Sequence, residues 1–168
     1  KLYDIPSTGL RFFTVYGPWG RPDMSPFLFA DAILHDRSIK VFNNGDMLRD
    51  FTYIDDIVEG VIRVLDCPAT SNPDWDPEHP DPSSSSASYR IYNIGNSQPV
   101  RLMDFIQAIE IACGKEAVKD FLPMQPGDVY QTNADTTLLQ RAVGFKPSTD
   151  IQEGVDRTVA WFKSYYNL

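Results

Sequence analysis

Leu10-Arg11-Phe12-Phe13-Thr14-Val15-Tyr16-Gly17-Pro18-Trp19-Gly20-Arg21-Pro22-Asp23 is the stretch on which the fold turns. From Leu10 to Tyr16 the run has the length and the β-branched and aromatic content of a buried strand. Gly17-Pro18 and then Gly20-Arg21-Pro22 end it abruptly. A loop leaving the carboxyl end of a buried strand is where open α/β sheets place ligands. Arg21, held between a glycine and a proline, offers a guanidinium to an anion. A core strand followed by an ordinary turn accounts for the same residues.

Downstream, Ile39 to Asp46 reads as a short strand and turn, and Arg49 to Asp56 as a strand running into a helix that Asp55 caps and that extends to Leu65. Ile57, Val61, Val64 and Leu65 mark the inner face of that helix. Phe27 to Leu34 is predicted helical and apolar on most sides, with Pro26 in its first turn. Residues 67–88, rich in Pro, Asp and Ser, form a long flexible surface loop that Trp75 pins locally. Arg90 to Ile94 is a strand ended by Gly95-Asn96. Leu102 to Cys113 is a helix stopped by Gly114. Val118 to Met124 is a further strand. Asp135 caps a short helix over Thr136 to Val143, which Gly144 closes. A capping box of Thr149 with Gln152 starts the last helix, whose stripe of Ile151, Val155, Val159, Phe162 and Tyr166 faces the core. Alternating helices and short strands give an α/β class.

The chain has 168 residues, enough for one domain with a core, and 42% of them are hydrophobic. A net charge of −8 argues against nucleic acid or a polybasic membrane surface as partner. It also means that an anionic ligand must be met by locally gathered cations. No apolar stretch reaches membrane-spanning length and no signal peptide opens the chain. Cys67 and Cys113 lack zinc spacing and are read as free thiols in a reducing cytoplasm. His35 and His79 have no ligand-spaced neighbours, so no metal site is expected.

The Leu10–Asp23 and Arg49–Asp56 segments together resemble the extended short-chain dehydrogenase/reductase family of nucleotide-sugar enzymes. Arg11-Phe12-Phe13-Thr14-Val15-Tyr16-Gly17-Pro18-Trp19-Gly20-Arg21-Pro22-Asp23-Met24 is most similar to UDP-glucuronate 4-epimerases. The resemblance continues through Tyr92-Asn93-Ile94-Gly95-Asn96, Pro126-Gly127-Asp128-Val129 and Gly144-Phe145-Lys146-Pro147, and so covers nearly the whole chain. The family's G-x-G-x-x-G fingerprint and its Tyr-x-x-x-Lys catalytic pair are both missing here. The resemblance therefore implies the C-terminal, substrate-binding half of an extended Rossmann-type epimerase, residues 1–168, without its N-terminal NAD-binding domain. Leu10 to Tyr16 and Arg90 to Ile94 would belong to the parallel sheet of the absent half. Alone, such a half leaves apolar strand surface uncovered.

The resemblance also assigns roles. Arg49 would reach the diphosphate of a UDP-sugar through forked hydrogen bonds. Phe42 would pack on the uracil ring, with backbone groups of Lys40 and Phe42, on either side of Val41, reading its edge. Thr14 would touch the hexose or its phosphate. Phe12 and Phe13 would border the nicotinamide of NAD, and Tyr16, Gly17 and Pro18 would wall the pocket beside it. Arg21 meets a phosphate or a hexuronate carboxylate. Asp128 accepts from a ribose or supports a closing loop. Met124-Gln125 stand where 4-epimerases of neutral UDP-hexoses carry an arginine, which speaks against UDP-glucose. The implied activity is NAD-dependent interconversion of UDP-glucuronate and UDP-galacturonate by the intact enzyme in surface polysaccharide biosynthesis, with no catalytic residue in this chain and no turnover by it alone. The rivals are UDP-glucuronate decarboxylase, a nucleotide-sugar 4,6-dehydratase and a non-catalytic nucleotide-sugar-binding module. Family members are usually homodimers through helices absent here.

Overall fold

The computed structural model describes residue 3 and residues 5–168. The run that opens the chain is longer than expected and is broken: β1 spans Ser7–Phe12 and β2 spans Thr14–Tyr16. The reason is a change of partner. β1 runs parallel to β6 (Tyr89–Ile94), from Ser7 beside Tyr89 to Phe12 beside Ile94. The Phe13 N–H still donates to Ile94 O at 3.3 Å, after which the chain crosses to β5 (Phe51–Tyr53), also parallel. One apolar run thus serves two ladders, and the two strands expected to share a sheet are direct neighbours.

Two further pairs extend the molecule. β3 (Ile39–Val41) is parallel to β8 (Lys119–Phe121), and β4 (Leu48–Arg49) is antiparallel to β7 (Val100–Arg101). The strand expected over Val118 to Met124 is confined to three residues, Lys119–Phe121. The helices are α1 (Ser25–Leu34), α2 (Ile54–Leu65), α3 (Leu102–Cys113), α4 (Thr137–Val143) and α5 (Ile151–Tyr166). Proline stands in the first turn of α1, and Gly114 ends α3 at φ 72°, as their residue types predict.

Three cap readings are corrected. Asp150, not Thr149, caps α5: its Oδ1 accepts from Gln152 N at 2.8 Å and Glu153 N at 3.4 Å. The Gln152 side chain donates instead to Ala108 O. Asp55 lies inside the first turn of α2, where its neighbour Asp56 accepts from Ser148 N and Thr149 N and so ties α2 to the entry of α5. Asp135 does hold the Thr137 N–H, but from one position before the cap. On α2, Ile57 and Val64 are buried, whereas Leu65 is exposed.

α3 and α5 pack against each other and against Tyr16, Phe51 and Tyr53. The Phe51 and Phe105 rings stack at 3.8 Å, and Tyr16 meets both edge-on. α5 approaches so closely that a Cβ on Gly154 would lie 2.2 Å from Tyr16 Oη. Burial pushes the Tyr16 phenol well above its ordinary range. The 67–88 loop has no helix, but it is tethered: Asn72 N donates to Ser85 O, Ile91 N to Ser83 O, and Ser84 bridges to Arg90. The half-buried Trp75 lies within it.

At the joint of β4 and β5 sits Asp50, wholly buried. Its Oδ1 accepts from Asn96 N at 3.0 Å, and its Oδ2 from Ser97 N at 3.1 Å and Ala134 N at 2.8 Å. Its own N–H donates to Thr132 Oγ1 at 3.1 Å. Burial raises its carboxyl above the usual range, and the three N–H donors oppose that rise. An amide at this position turns an NH2 group toward at least one of those donors. Asp50→Asn is therefore expected to destabilise the chain by about 1–3 kcal/mol in urea unfolding at neutral pH. A loss below about 0.5 kcal/mol, the range of ordinary surface changes, would show that the carboxylate does not hold these segments.

Candidate functional site

The first cavity, about 240 Å3, is built where β2, β3 and β4 end against α1 and α3. Alternation in β3 buries Ile39 and Val41 and turns Lys40 outward to the cavity. Phe42 follows immediately. Asn43 and Asn44, both at φ 49°, and Gly45 at φ 81° then reverse the chain, and the Phe42 ring is left on the cavity wall. Gly45 is required there, since a Cβ would come 2.5 Å from Met103 Sδ. Thr14, Asp23, Ser25, Arg49 and Asp128 complete the polar lining, with Phe29, Met47 and Phe51 beneath.

Arg49 is held firmly. Its Nη1 donates to Leu48 O at 2.9 Å and Tyr130 O at 3.0 Å. Its Nη2 donates to Asp128 Oδ1 at 2.9 Å and Val129 O at 2.7 Å. The acceptors from 128–130 belong to a strap, residues 122–131, that also exchanges backbone bonds with Leu48 (Leu48 N to Tyr130 O, Thr132 N to Leu48 O). Both terminal nitrogens of the fork are therefore occupied by the protein itself, a point the motif alone does not convey.

A second, larger cavity of about 640 Å3 lies beyond Thr14 and Met24, which line both. Its wall contains Phe12, Phe13, Tyr16, Gly17, Pro18, Trp19, Arg21 and Thr132. Gly17, at φ 139°, cannot be replaced without a clash, because a Cβ would sit 2.4 Å from Ile54. Trp19 is 73% exposed and rests on Trp161 and Tyr165 of α5. Arg21 projects into solvent and pairs with Asp23 at 2.5 Å, which holds the Asp23 carboxyl below its ordinary range. A third cavity of about 420 Å3 lies on the α1 side of Phe42, lined by Lys40, Arg37 and Asp31 among others.

Of the residues expected to meet a substrate, Thr14, Lys40, Phe42, Arg49 and Asp128 converge on the smaller cavity. Arg21 lies on the larger one with all five residues expected near a cofactor. Val41 lines neither; it is fully buried and its carbonyl accepts from Leu122 N. The Tyr16 ring turns into the core. Met24 and Trp19 line the cavities although the motif that contains them gave them no role, and Thr132 lines one although no motif marks it. Among the described residues no group of three or more His, Cys, Asp or Glu side chains is arranged to hold a metal, and no helix is long and apolar enough to cross a membrane.

Comparison with known proteins adds three findings. The family described as NAD dependent epimerase/dehydratase matches residues 1–95. Protein CapI of Staphylococcus aureus is 56% identical over 165 residues, covering 98% of this chain and 49% of that protein, and a probable UDP-glucuronate 4-epimerase of Rhizobium meliloti is 48% identical over 166 residues, covering 98% and 49%. The crystal structure of UDP-glucuronic acid 4-epimerase from Bacillus cereus with UDP-glucuronic acid and NAD superposes with a TM-score of 0.78 at 30% identity, over 96% of this chain and 46% of that one. The chain spans about half the length of the curated relatives it matches.

The occupied fork yields a test of the site's construction. Arg49→Lys keeps the charge but cannot reach the strap carbonyls on both sides at once. Amide hydrogen exchange in the segment 128–132 is expected to accelerate by about tenfold, the equivalent of one lost hydrogen bond. Unchanged protection there would show that the strap is held by other contacts.

Proposed function

Because the chain belongs to the NAD dependent epimerase/dehydratase family, we propose that it is the UDP-sugar-binding half of an NAD-dependent UDP-glucuronate 4-epimerase. The observation that carries this reading is the convergence of Thr14, Lys40, Phe42, Arg49 and Asp128 on one cavity that meets a second at Thr14. The smaller cavity takes the UDP: the Phe42 ring offers a flat apolar face to uracil, and the cations gather on the same wall. The larger one takes the hexuronate. Arg21 stands on that side and away from Arg49, which suits it to the sugar carboxylate rather than to the diphosphate.

Phe12, Phe13 and Pro18 form an apolar wall that fits one face of a nicotinamide ring. This sequence has no glycine-rich phosphate cradle, so NAD would be bound mainly by the N-terminal half. NAD, when bound, supplies the oxidation and re-reduction at the sugar's C4. This chain's share is to anchor the nucleotide while the hexuronate turns in the wider cavity, so that binding energy at a remote group restrains an otherwise mobile sugar. The proton-accepting tyrosine belongs to the N-terminal half, and no tyrosine here has a lysine four residues later. β1, whose only strand partner among the described residues is β6, would continue the parallel sheet of that half. A cytoplasmic enzyme supplying uronate for surface polysaccharide fits the reading.

Isothermal calorimetry tests it directly. The chain is expected to bind UDP, and Phe42→Ala to weaken both UDP and uridine by about 1–3 kcal/mol, the usual worth of a stacked base. Absence of UDP binding, or affinity indifferent to Phe42, would sink the reading. Incubated alone with NAD and UDP-glucuronate, the chain is expected to form no UDP-galacturonate by chromatography.

A further inference from the structure

Trp19 stands in a backbone conformation that its side chain disfavours. Its φ is 62°, in the left-handed region, where the other non-glycine residues among those described are Asp, Asn or Ser. Short polar side chains reach local hydrogen bonds from that region, and a bulky aromatic does not. Burial does not compensate, since Trp19 is 73% exposed. What faces its ring is a platform on α5: Trp161 and Tyr165, one helical turn apart, stack at 5.3 Å and 23°. The Trp19 ring meets Tyr165 at 5.0 Å and 74°, and Trp161 at 5.4 Å and 54°. These are the tilted and edge-on arrangements that aromatic quadrupoles favour.

The rest of the turn is seated on the same helix face. Gly17, Gly20 and Arg21 approach Thr158, Trp161 and Phe162 across a void of about 10 Å3, room for no more than one water. Gly20 N closes the turn onto Gly17 O at 3.2 Å. The Arg21 side chain bonds only Asp23 among the described residues, an exposed member of the same loop. The direction in which the guanidinium leaves the chain is therefore set by the backbone of the turn. We infer that Trp161 and Tyr165 are positioning residues for Arg21. By holding the Trp19 ring they keep the Gly17–Asp23 turn in the conformation that presents the guanidinium to the larger cavity, and so to the carboxylate of a hexuronate. The inference rests on the hexuronate reading of that cavity. It gives α5, which contributes no residue to the lining of either cavity, a share in separating a uronate from a neutral hexose.

The measurement is a ratio of affinities. By calorimetry the unmodified chain is expected to prefer UDP-glucuronate over UDP-glucose by about tenfold, the fold-change of one charge-assisted hydrogen bond. Trp161→Ala combined with Tyr165→Ala removes the platform. It is expected to cut the preference to about twofold or less while affinity for UDP changes by less than about twofold. Trp161→Phe combined with Tyr165→Phe keeps both rings and should restore the preference. General loosening of the fold weakens all three ligands alike and leaves the ratio unchanged. Should the double alanine variant fail to fold, Tyr165→Ala alone, at a half-exposed position, is read by the same ratio. A preference unchanged by loss of the rings overturns the inference, as does a loss of UDP affinity equal to the loss for UDP-glucuronate. An unmodified chain that binds UDP but shows no preference also overturns it. If the unmodified chain binds no UDP, the reading of the site falls first and the inference falls with it.

Discussion

A carboxylate without a counter-ion, Asp50, holds the site together. Taking a charge out of water costs several kcal/mol, and a buried carboxylate persists only where donors surround it. Here the donors are backbone N–H groups from two segments distant in sequence, Asn96-Ser97 after β6 and Ala134 before α4. The same residue's own N–H reaches Thr132. Three stretches with no continuous strand between them are thus brought to one point. An asparagine would offer a single accepting oxygen to donors that approach from both sides. That geometry explains the choice of an ionisable group in a place where ionisation is disfavoured.

Arg49 precedes Asp50, and alternation along the strand sends the two side chains in opposite directions. Asp50 goes inward to the loops after β6. Arg49 goes to the cavity side and clasps the strap, whose continuation Thr132–Ala134 is what Asp50 holds. One dipeptide therefore fixes both ends of the same segment. The Nη donors of that guanidinium are thereby turned to the protein itself. In a chain with a net charge of −8 such pairing recurs at Arg21 and Arg37, each bound to a nearby aspartate.

Much of this was legible in the residues and some of it was not. Gly114 after an apolar stripe, Pro26 before one, and the β-branched and aromatic run ending in Gly17-Pro18 carry local signals strong enough to place α3, α1 and the first strand. The convergence of Phe42 and Arg49 was legible only through resemblance, because the residues between them turn through two left-handed asparagines. Three things escaped for identifiable reasons. The break at Phe13 depends on which strand lies alongside, a property of the partner. The α5 capping box expected at Thr149 fails because the Thr149 N–H that Gln152 would have to accept is turned toward Asp56, and Asp150, one residue on, caps the helix. The anchoring of Arg49 involves acceptors some eighty positions away, beyond any local pattern.

The division of the site into two cavities joined at Thr14 and Met24 bears on how such a fold can bind one end of a ligand tightly and the other loosely. Much of the smaller cavity's wall comes from strands, the start of α3, the α1 face and a pinned strap. The larger cavity is flanked by the Gly17–Arg21 turn, whose aromatic residue leans on α5 through Trp161 and Tyr165. Its arginine extends into solvent. A ligand spanning both meets stiff, charged and aromatic contacts at one end and a roomy, one-sided wall at the other. On the proposed reading, in which a nucleotide sugar must present both faces of one carbon, this asymmetry is the useful property: affinity gathered at the nucleotide does not fix the orientation of the sugar. The covalent chemistry can then sit on a separate half of polypeptide, because the half that grips need only leave the reacting end open to it.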